Sequence, residues 1–182
     1  MKLFNKACLL LIFMLVCAVA TAKVDNPKRE FRGAWIQAVN GQFLGMGEKE
    51  MKNYLTNMLD GLKKANVNAI IFQVRVEGDA LYRSANEPWS RYLTGVQGKN
   101  PGWDPLEFMV AQAHARNMEL HAWINPYRAK TKGTRSLAEL HQINKHPERF
   151  IRYDSQLFFN PSLQANRDWI CHIVKDIVTR YD

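Results

Sequence analysis

The sequence predicts a parallel α/β fold whose strands line a barrel, and three observations carry that expectation. Residues 31–39, 68–76 and 118–128 each have strand character, and helical or polar stretches separate them, as in βαβ units. Each strand keeps its aliphatic side chains on one face and its polar or aromatic ones on the other. A doubly wound sheet, covered by helices on both sides, runs apolar throughout, whereas strands lining a barrel mouth keep a polar row. Finally, no glycine-rich phosphate loop follows the first strand, which disfavours a dinucleotide-binding sheet.

The elements follow from residue spacing. In the first strand Ala34, Ile36 and Ala38 alternate with Gly33, Trp35 and Gln37. Met51, Tyr54, Leu55, Met58, Leu59 and Leu62 repeat at the helical period over residues 48–65, and Asn66 suits a left-handed C-terminal cap. The second strand places Ile70, Phe72, Val74 and Val76 on one face and Gln73, Arg75 and Glu77 on the other. Residues 77–105 form a long connection carrying Tyr82, Trp89, Tyr92 and Trp103, and long loops in compact domains tend to be functional. Asp104 and Pro105 open the next helix, which buries Leu106, Met109, Val110 and Ala113. The third strand sets Leu120, Ala122 and Ile124 against Glu119, His121, Trp123 and Asn125, and Pro126 ends its ladder. Asn125, Tyr127 and Arg128 then lie at a strand's carboxyl end, where parallel α/β folds bind ligands. Ser136 and Glu139 read as the capping box of a short helix ending before His146. Residues 150–159 read as an irregular strand pair. A last helix from near Asn166 is expected to bury Ile170, Ile173, Val174, Ile177 and Val178.

The 182 residues are 47% hydrophobic and 23% charged, the balance of a globular chain with one substantial core. Lys2 and Lys6 precede an apolar run over residues 7–18, and Ala20-Thr21-Ala22 has the small-x-small pattern of a processing site. Residues 1–22 are therefore expected to be a signal peptide and 23–30 a linker to a domain over 31–182. The apolar run is shorter than the roughly 20 residues that span a bilayer, so no stable membrane span is expected after cleavage. Cys8 and Cys17 leave with the leader, and Cys171, on the apolar side of the last helix, reads as a packing residue. The net charge of +8 is dispersed, which argues against a nucleic-acid partner. His114 and His121 have no metal-ligand spacing, and neither a metal nor a cofactor is expected.

A set of ordered blocks gives the chain a resemblance. Phe31-Arg32-Gly33-Ala34-Trp35-Ile36, Phe72-Gln73-Val74-Arg75, Gly78-Asp79-Ala80-Leu81-Tyr82, Pro88-Trp89-Ser90, Leu93-Thr94-Gly95, Asn100-Pro101-Gly102-Trp103-Asp104-Pro105-Leu106 and His121-Ala122-Trp123-Ile124-Asn125-Pro126-Tyr127-Arg128 together resemble the glycosyl-hydrolase-like family 10, exported bacterial proteins with a (β/α)8 TIM-barrel catalytic domain. The resemblance runs from Phe31 to the C-terminus. In the family an acidic strand follows the last helix; it is absent here, so a truncated barrel of about three βα units is expected, inactive by itself. The resemblance implies an exported glycoside hydrolase, periplasmic, in the cell envelope or extracellular. It would act on a polysaccharide or on peptidoglycan glycan strands by carboxylate acid/base chemistry. A non-catalytic glycan-binding or vestigial protein is the competing reading.

Such chemistry needs two carboxyl groups flanking the scissile bond. Glu77 and Asp79, just beyond the second strand, are the catalytic candidates; equally, Asp79 could cap a turn and Glu77 pair with Arg75. Trp35, Tyr82, Trp89, Trp103 and Trp123 suit stacking on sugar rings, or core filling. Gln73, Arg75, His121, Asn125 and Tyr127 are the polar groups expected around the sugar, with an internal ion pair as the other role for Arg75.

Overall fold

A computed structural model describes residues 30–181. The chain divides into Met1–Phe31 and Arg32–Asp182, and the strands and helices below all belong to the second unit. The expected signal peptide and most of the linker lie outside the described residues. Among these, no helix is long and apolar enough to cross a membrane.

Strands β1 (Gly33–Ile36), β2 (Ala69–Arg75) and β3 (Glu119–Ile124) form one parallel sheet in the order β1-β2-β3. Helices α1 (Glu48–Lys64) and α3 (Pro105–His114) supply the connections, with α2 (Arg91–Thr94) a single turn in the long loop after β2. One sheet face packs into the core: Ile36, Ile70, Phe72 and Val74 meet Met51, Leu55 and Leu59 of α1 and Leu106, Met109 and Ala113 of α3. Asn66, at φ +64°, and Asn117, at φ +53°, close the turns after these helices in the left-handed conformation that asparagine tolerates. Asp104 caps α3 by accepting from the amides of Leu106 and Glu107, as its sequence position suggests.

The opposite face carries Trp35, Ile71, Gln73, His121 and Trp123 in register: Trp35 lies beside Ile71, Ile71 beside His121, and Gln73 beside Trp123. This is the polar-aromatic row expected from alternation. The register then shifts between Gln73 and Arg75, where two residues of β2 oppose one of β3. Such a bulge bends its strand and re-aims the next side chain. Beyond the bulge Arg75 is fully buried, which is the internal role that its position in the sequence also allowed.

Beyond β3 the chain builds a second, antiparallel sheet, ordered β4-β6-β5, from β4 (Arg128–Lys130), β5 (Phe150–Tyr153) and β6 (Gln156–Phe159). Its core joins Ala129, Leu157 and Phe159 to Tyr127, Ile143, Phe150 and Trp169. The strand pair at residues 150–159 is thus a regular hairpin, and β4 is an element the sequence pattern concealed. The helix expected from the Ser136/Glu139 box shrinks to α4 (Gln142–Lys145), capped by the ring Nδ1 of His141 accepting from the amide of Ile143. Upstream of it the amide of Ala138 is held by Oε1 of Gln97.

Helix α5 (Gln164–Arg180) begins slightly earlier than expected and buries a narrower stripe. Ile173 and Ile177 are buried, whereas Val174 is 40% and Val178 68% exposed. Cys171 is exposed, not packed: it lies two residues from Ile173, about 200° around the helix.

Candidate functional site

The loops leaving the carboxyl ends of β1, β2 and β3 meet around two groups of side chains, one open and one buried. The open group is on the helix-free face. Trp35 is 66% exposed, and its ring lies edge-on to that of Trp123, with centroids 5.0 Å apart and planes at 81°. Nε1 of Trp123 donates to Oδ1 of Asn125 at 3.1 Å, and Nδ2 of Asn125 donates to the carbonyl of Val76 at 3.4 Å, so the indole is held by the strand's own exit. Gln73, in the same row, is fully buried; its Oε1 accepts from the amides of Ala38 and Val39 and fixes the path out of β1. Its Nε2 has no hydrogen-bond partner among the described residues. His121 is lower on the strand and exposed, with Nε2 3.0 Å from the Glu119 carboxylate. Tyr127 packs against the second core.

The buried group begins with Arg75. Its Nε and Nη2 each donate to the Glu87 carboxylate at 2.7 Å, and Nη1 donates to the carbonyls of Asn125 at 2.6 Å and Pro126 at 3.0 Å. The guanidinium lies 5.3 Å from the centre of the Phe159 ring. With every nitrogen engaged and no exposure, Arg75 orders the turn after β3 and offers nothing to a substrate. Its ion-pair partner is Glu87, not Glu77. Glu87 also accepts from Nε1 of Trp169 at 3.2 Å, which binds α5 to the same point.

Glu77 is equally buried. Its carboxylate accepts from Nε and Nη2 of Arg91 at 3.2 and 3.4 Å, from the Tyr92 hydroxyl at 3.2 Å, from the Thr131 amide at 3.2 Å and from the Thr134 hydroxyl. Burial by itself would raise its pKa, but the hydrogen bonds from Arg91, Thr131 and Thr134, with the Arg91 charge, hold it below the ordinary value. Asp79 behaves oppositely. Burial, with the nearby Glu77 charge, pushes it up to about 6, although its oxygens accept from the Glu77 amide at 3.0 Å and from Nε2 of Gln97 at 3.1 Å. Between them Gly78 adopts φ +64°, and a Cβ there would lie 2.8 Å from Nε2 of His141 and 3.2 Å from the Phe159 ring. That closeness lets the His141 ring, whose Nδ1 accepts from Ile143, donate from Nε2 to the Glu77 carbonyl at 3.1 Å. Burial lowers the His141 pKa, and its hydrogen bonds describe the neutral ring.

The two expected catalytic carboxyls are thus adjacent, with pKa values shifted in opposite directions, yet neither reaches solvent and every carboxylate oxygen is engaged. The loop aromatics also pack inward. Tyr82 is fully buried edge-on to Tyr181, and Trp103, 8% exposed, is edge-on to Phe108 under the Lys52 ammonium, among the helices. Trp89 is half-buried against the main core. Of the expected sugar-contacting aromatics, Trp35 and Trp123 are the pair brought together on the open face. Sequence reasoning missed Glu87, Arg91, Gln97, Thr131, Thr134 and His141. Glu87 and Arg91 flank Pro88-Trp89-Ser90 and carried a signal; the threonines lie in a polar stretch that carries none. Among the described residues no group of three His, Cys, Asp or Glu is set to hold a metal ion.

The glycosyl hydrolase-like 10 family matches residues 30–182. The chain is 40% identical over 179 residues to the glycosyl hydrolase YngK of Bacillus subtilis, an alignment covering 95% of this chain and 35% of that protein. It is 38% identical over 139 residues to the glycosyl hydrolase DigH of Escherichia coli K12, covering 70% of this chain and 31% of that one. It therefore spans about a third of the length of these curated relatives. Among solved structures it is similar to a noncanonic maltogenic α-amylase AmyB from Thermotoga neapolitana, with TM-score 0.53 and 15% identity over 84% of this chain and 37% of the other. It is also similar to the GH36 α-galactosidase AgaB from Geobacillus stearothermophilus, with TM-score 0.52 and 14% identity over 85% and 20% of the two chains. At those identities the likeness concerns fold, which is α/β of the barrel type.

Proposed function

Because this chain belongs to the glycosyl hydrolase-like 10 family, we propose that it contributes a sugar-binding platform to a glycoside hydrolase acting outside the cytoplasm on a polysaccharide or cell-wall glycan. The observation that carries the reading is Trp35, a large aromatic left 66% exposed beside Trp123 on the helix-free face of the parallel sheet. An indole face stacks on the C–H face of a pyranose, while nearby amides such as that of Asn125 orient hydroxyls. The reaction is hydrolysis of a glycosidic bond by a protonated and an ionised carboxyl acting together. In this reading Glu77 and Asp79, both buried, support the site: Glu77 orders Arg91 and residues 131–134, and Asp79 ties the β2 exit to Gln97.

The test is titration of the full chain with neutral oligosaccharides, followed by tryptophan fluorescence. Trp35→Ala and Trp123→Ala should each weaken binding about 2- to 12-fold, the worth of one aromatic contact of about 0.5–1.5 kcal/mol. Unchanged affinity in both variants would remove the platform. The burial of both candidate carboxyls favours a second reading, glycan binding without turnover. It predicts that Glu77→Gln alters stability but releases no more and no less reducing sugar than the parent chain.

A further inference from the structure

Residues 91–97 and 133–136 enclose a pocket of about 290 Å³ on the solvent side of the Glu77 and Asp79 cluster. Its lining includes Arg91, Val96, Gln97, Gly133, Arg135 and Ser136, and no acidic residue. We propose that this pocket receives the carboxylate of an acidic sugar, with Arg135 and Arg91 as the two guanidinium groups that hold it. That the ligand is a sugar rests on the glycan-acting reading above; that it is an anion rests on the pocket alone.

The two arginines differ in a useful way. Arg91 is fixed: Nε and Nη2 are committed to Glu77, Thr131, Thr134 and the Tyr92 hydroxyl, while Nη1 has no hydrogen-bond partner among the described residues. Its side chain is 18% exposed, so it reaches the surface with its orientation already set. Its charge is balanced by Glu77. Arg135 is exposed and pairs with no carboxylate among the described residues, so it supplies the net positive charge of the lining. A guanidinium presents a planar fork that matches a carboxylate with two parallel bonds, and one preorganised donor beside one uncompensated cation is the arrangement that selects an oxyanion.

Size separates a sugar from a bare ion. A water molecule occupies about 30 Å³ in the liquid, so a simple oxyanion would leave most of the volume to solvent, whereas a carboxylated pyranose ring would occupy it. Val96, 56% exposed, offers a C–H surface for such a ring, and the Ser136 hydroxyl a partner for its hydroxyls. Gly133 borders the space beside Arg91: a Cβ there would make ordinary contact, 3.7 Å from Nη2 of Arg91, and a larger side chain would reach into the pocket.

Calorimetric titration of the full chain at low ionic strength, with glucuronate, glucose and inorganic phosphate as separate probes, tests this. Glucuronate should bind, weaken with added salt, and lose about tenfold or more in affinity on Arg135→Gln, the usual consequence of removing a charged hydrogen-bond partner. Gly133→Val, which adds bulk without changing charge, should block it, and Trp35→Ala should leave it unchanged. Glucuronate bound equally well by Arg135→Gln, or not bound by a parent chain with intact circular dichroism, would overturn the proposal. So would phosphate that binds as tightly and displaces glucuronate. Neutral oligosaccharide binding through Trp35 is read separately: its loss with glucuronate retained refutes the platform and leaves the pocket, and the converse refutes the pocket alone.

Discussion

Replacing Glu87 by glutamine removes one charge and almost no volume from the most enclosed ion pair among the described residues. In the parent both carboxylate oxygens accept from Arg75 at 2.7 Å, one of them also from Trp169, and neither partner is exposed to any useful degree. Glutamine keeps one acceptor oxygen, so one Arg75 bond survives. Its amide N–H₂ faces a guanidinium donor that has no water to turn to. Breaking a buried pair on one side costs about 3–5 kcal/mol, because the remaining charge stays desolvated. In a domain of this size each kcal/mol moves the melting temperature by about 2–4 °C, which gives a fall of about 6–20 °C. Thermal and urea unfolding followed by far-ultraviolet circular dichroism measures it. Arg75→Met combined with Glu87→Leu should cost less than Glu87→Gln alone, since no charge is stranded, although the Asn125 and Pro126 carbonyls lose their donor. A single-variant loss below about 1 kcal/mol, or a double variant at the sum of its singles, would refute the account of Arg75 as a charge held by its partner.

Three further outcomes follow from burial. Asp79 keeps its proton to about pH 6 in the fold but has an ordinary value of 3.8, so between these values the folded state binds more protons than the unfolded one and stability falls as pH rises. Asp79→Asn should flatten that slope in urea midpoints taken from pH 4 to 7, and an unaltered slope would disprove the assignment. Glu77 works in the other direction: its lowered value means that its contribution is present above the ordinary 4.5 and is lost as pH falls through the folded value. Trp103→Ala should lower stability by about 3–5 kcal/mol and leave oligosaccharide affinity alone, because the ring is packed on Phe108 under Lys52; a weaker affinity with an unchanged melting temperature would restore it to the sugar site.

Alternation and helical period were enough to read the parallel order of β1, β2 and β3, the packing of α1 and α3, and the row holding Trp35, Gln73, His121 and Trp123. These depend on neighbours within a few residues, and local spacing reports them directly. The reading runs out where long-range contacts take over from local pattern. For Arg75 local spacing leaves a sugar contact and an internal ion pair both open, and the choice falls to Glu87, 12 residues on in a loop without periodicity. The Ser136 box gives way to a shorter helix opened by His141, while Gln97, about forty residues away in sequence, takes the amide of Ala138. The carboxylates were found but not their surroundings, since burial of Glu77 by Arg91 and Thr134 joins segments with no shared periodicity.

The Arg75 and Glu87 clamp also bears on the order in which the chain assembles. It joins Arg75 to carbonyls 50 and 51 residues away, and Glu87 to Trp169 across 82 residues, so its bonds close long loops. Loop closure is costly before other contacts have fixed the ends, so these bonds belong late in folding, after β2, α1 and α3 have met. Contacts absent from the folding transition state act on the rate of unfolding. The clamp therefore governs the lifetime of the native state, and with it exposure of the second sheet and α5 to proteolysis, more than the speed at which the parallel sheet forms.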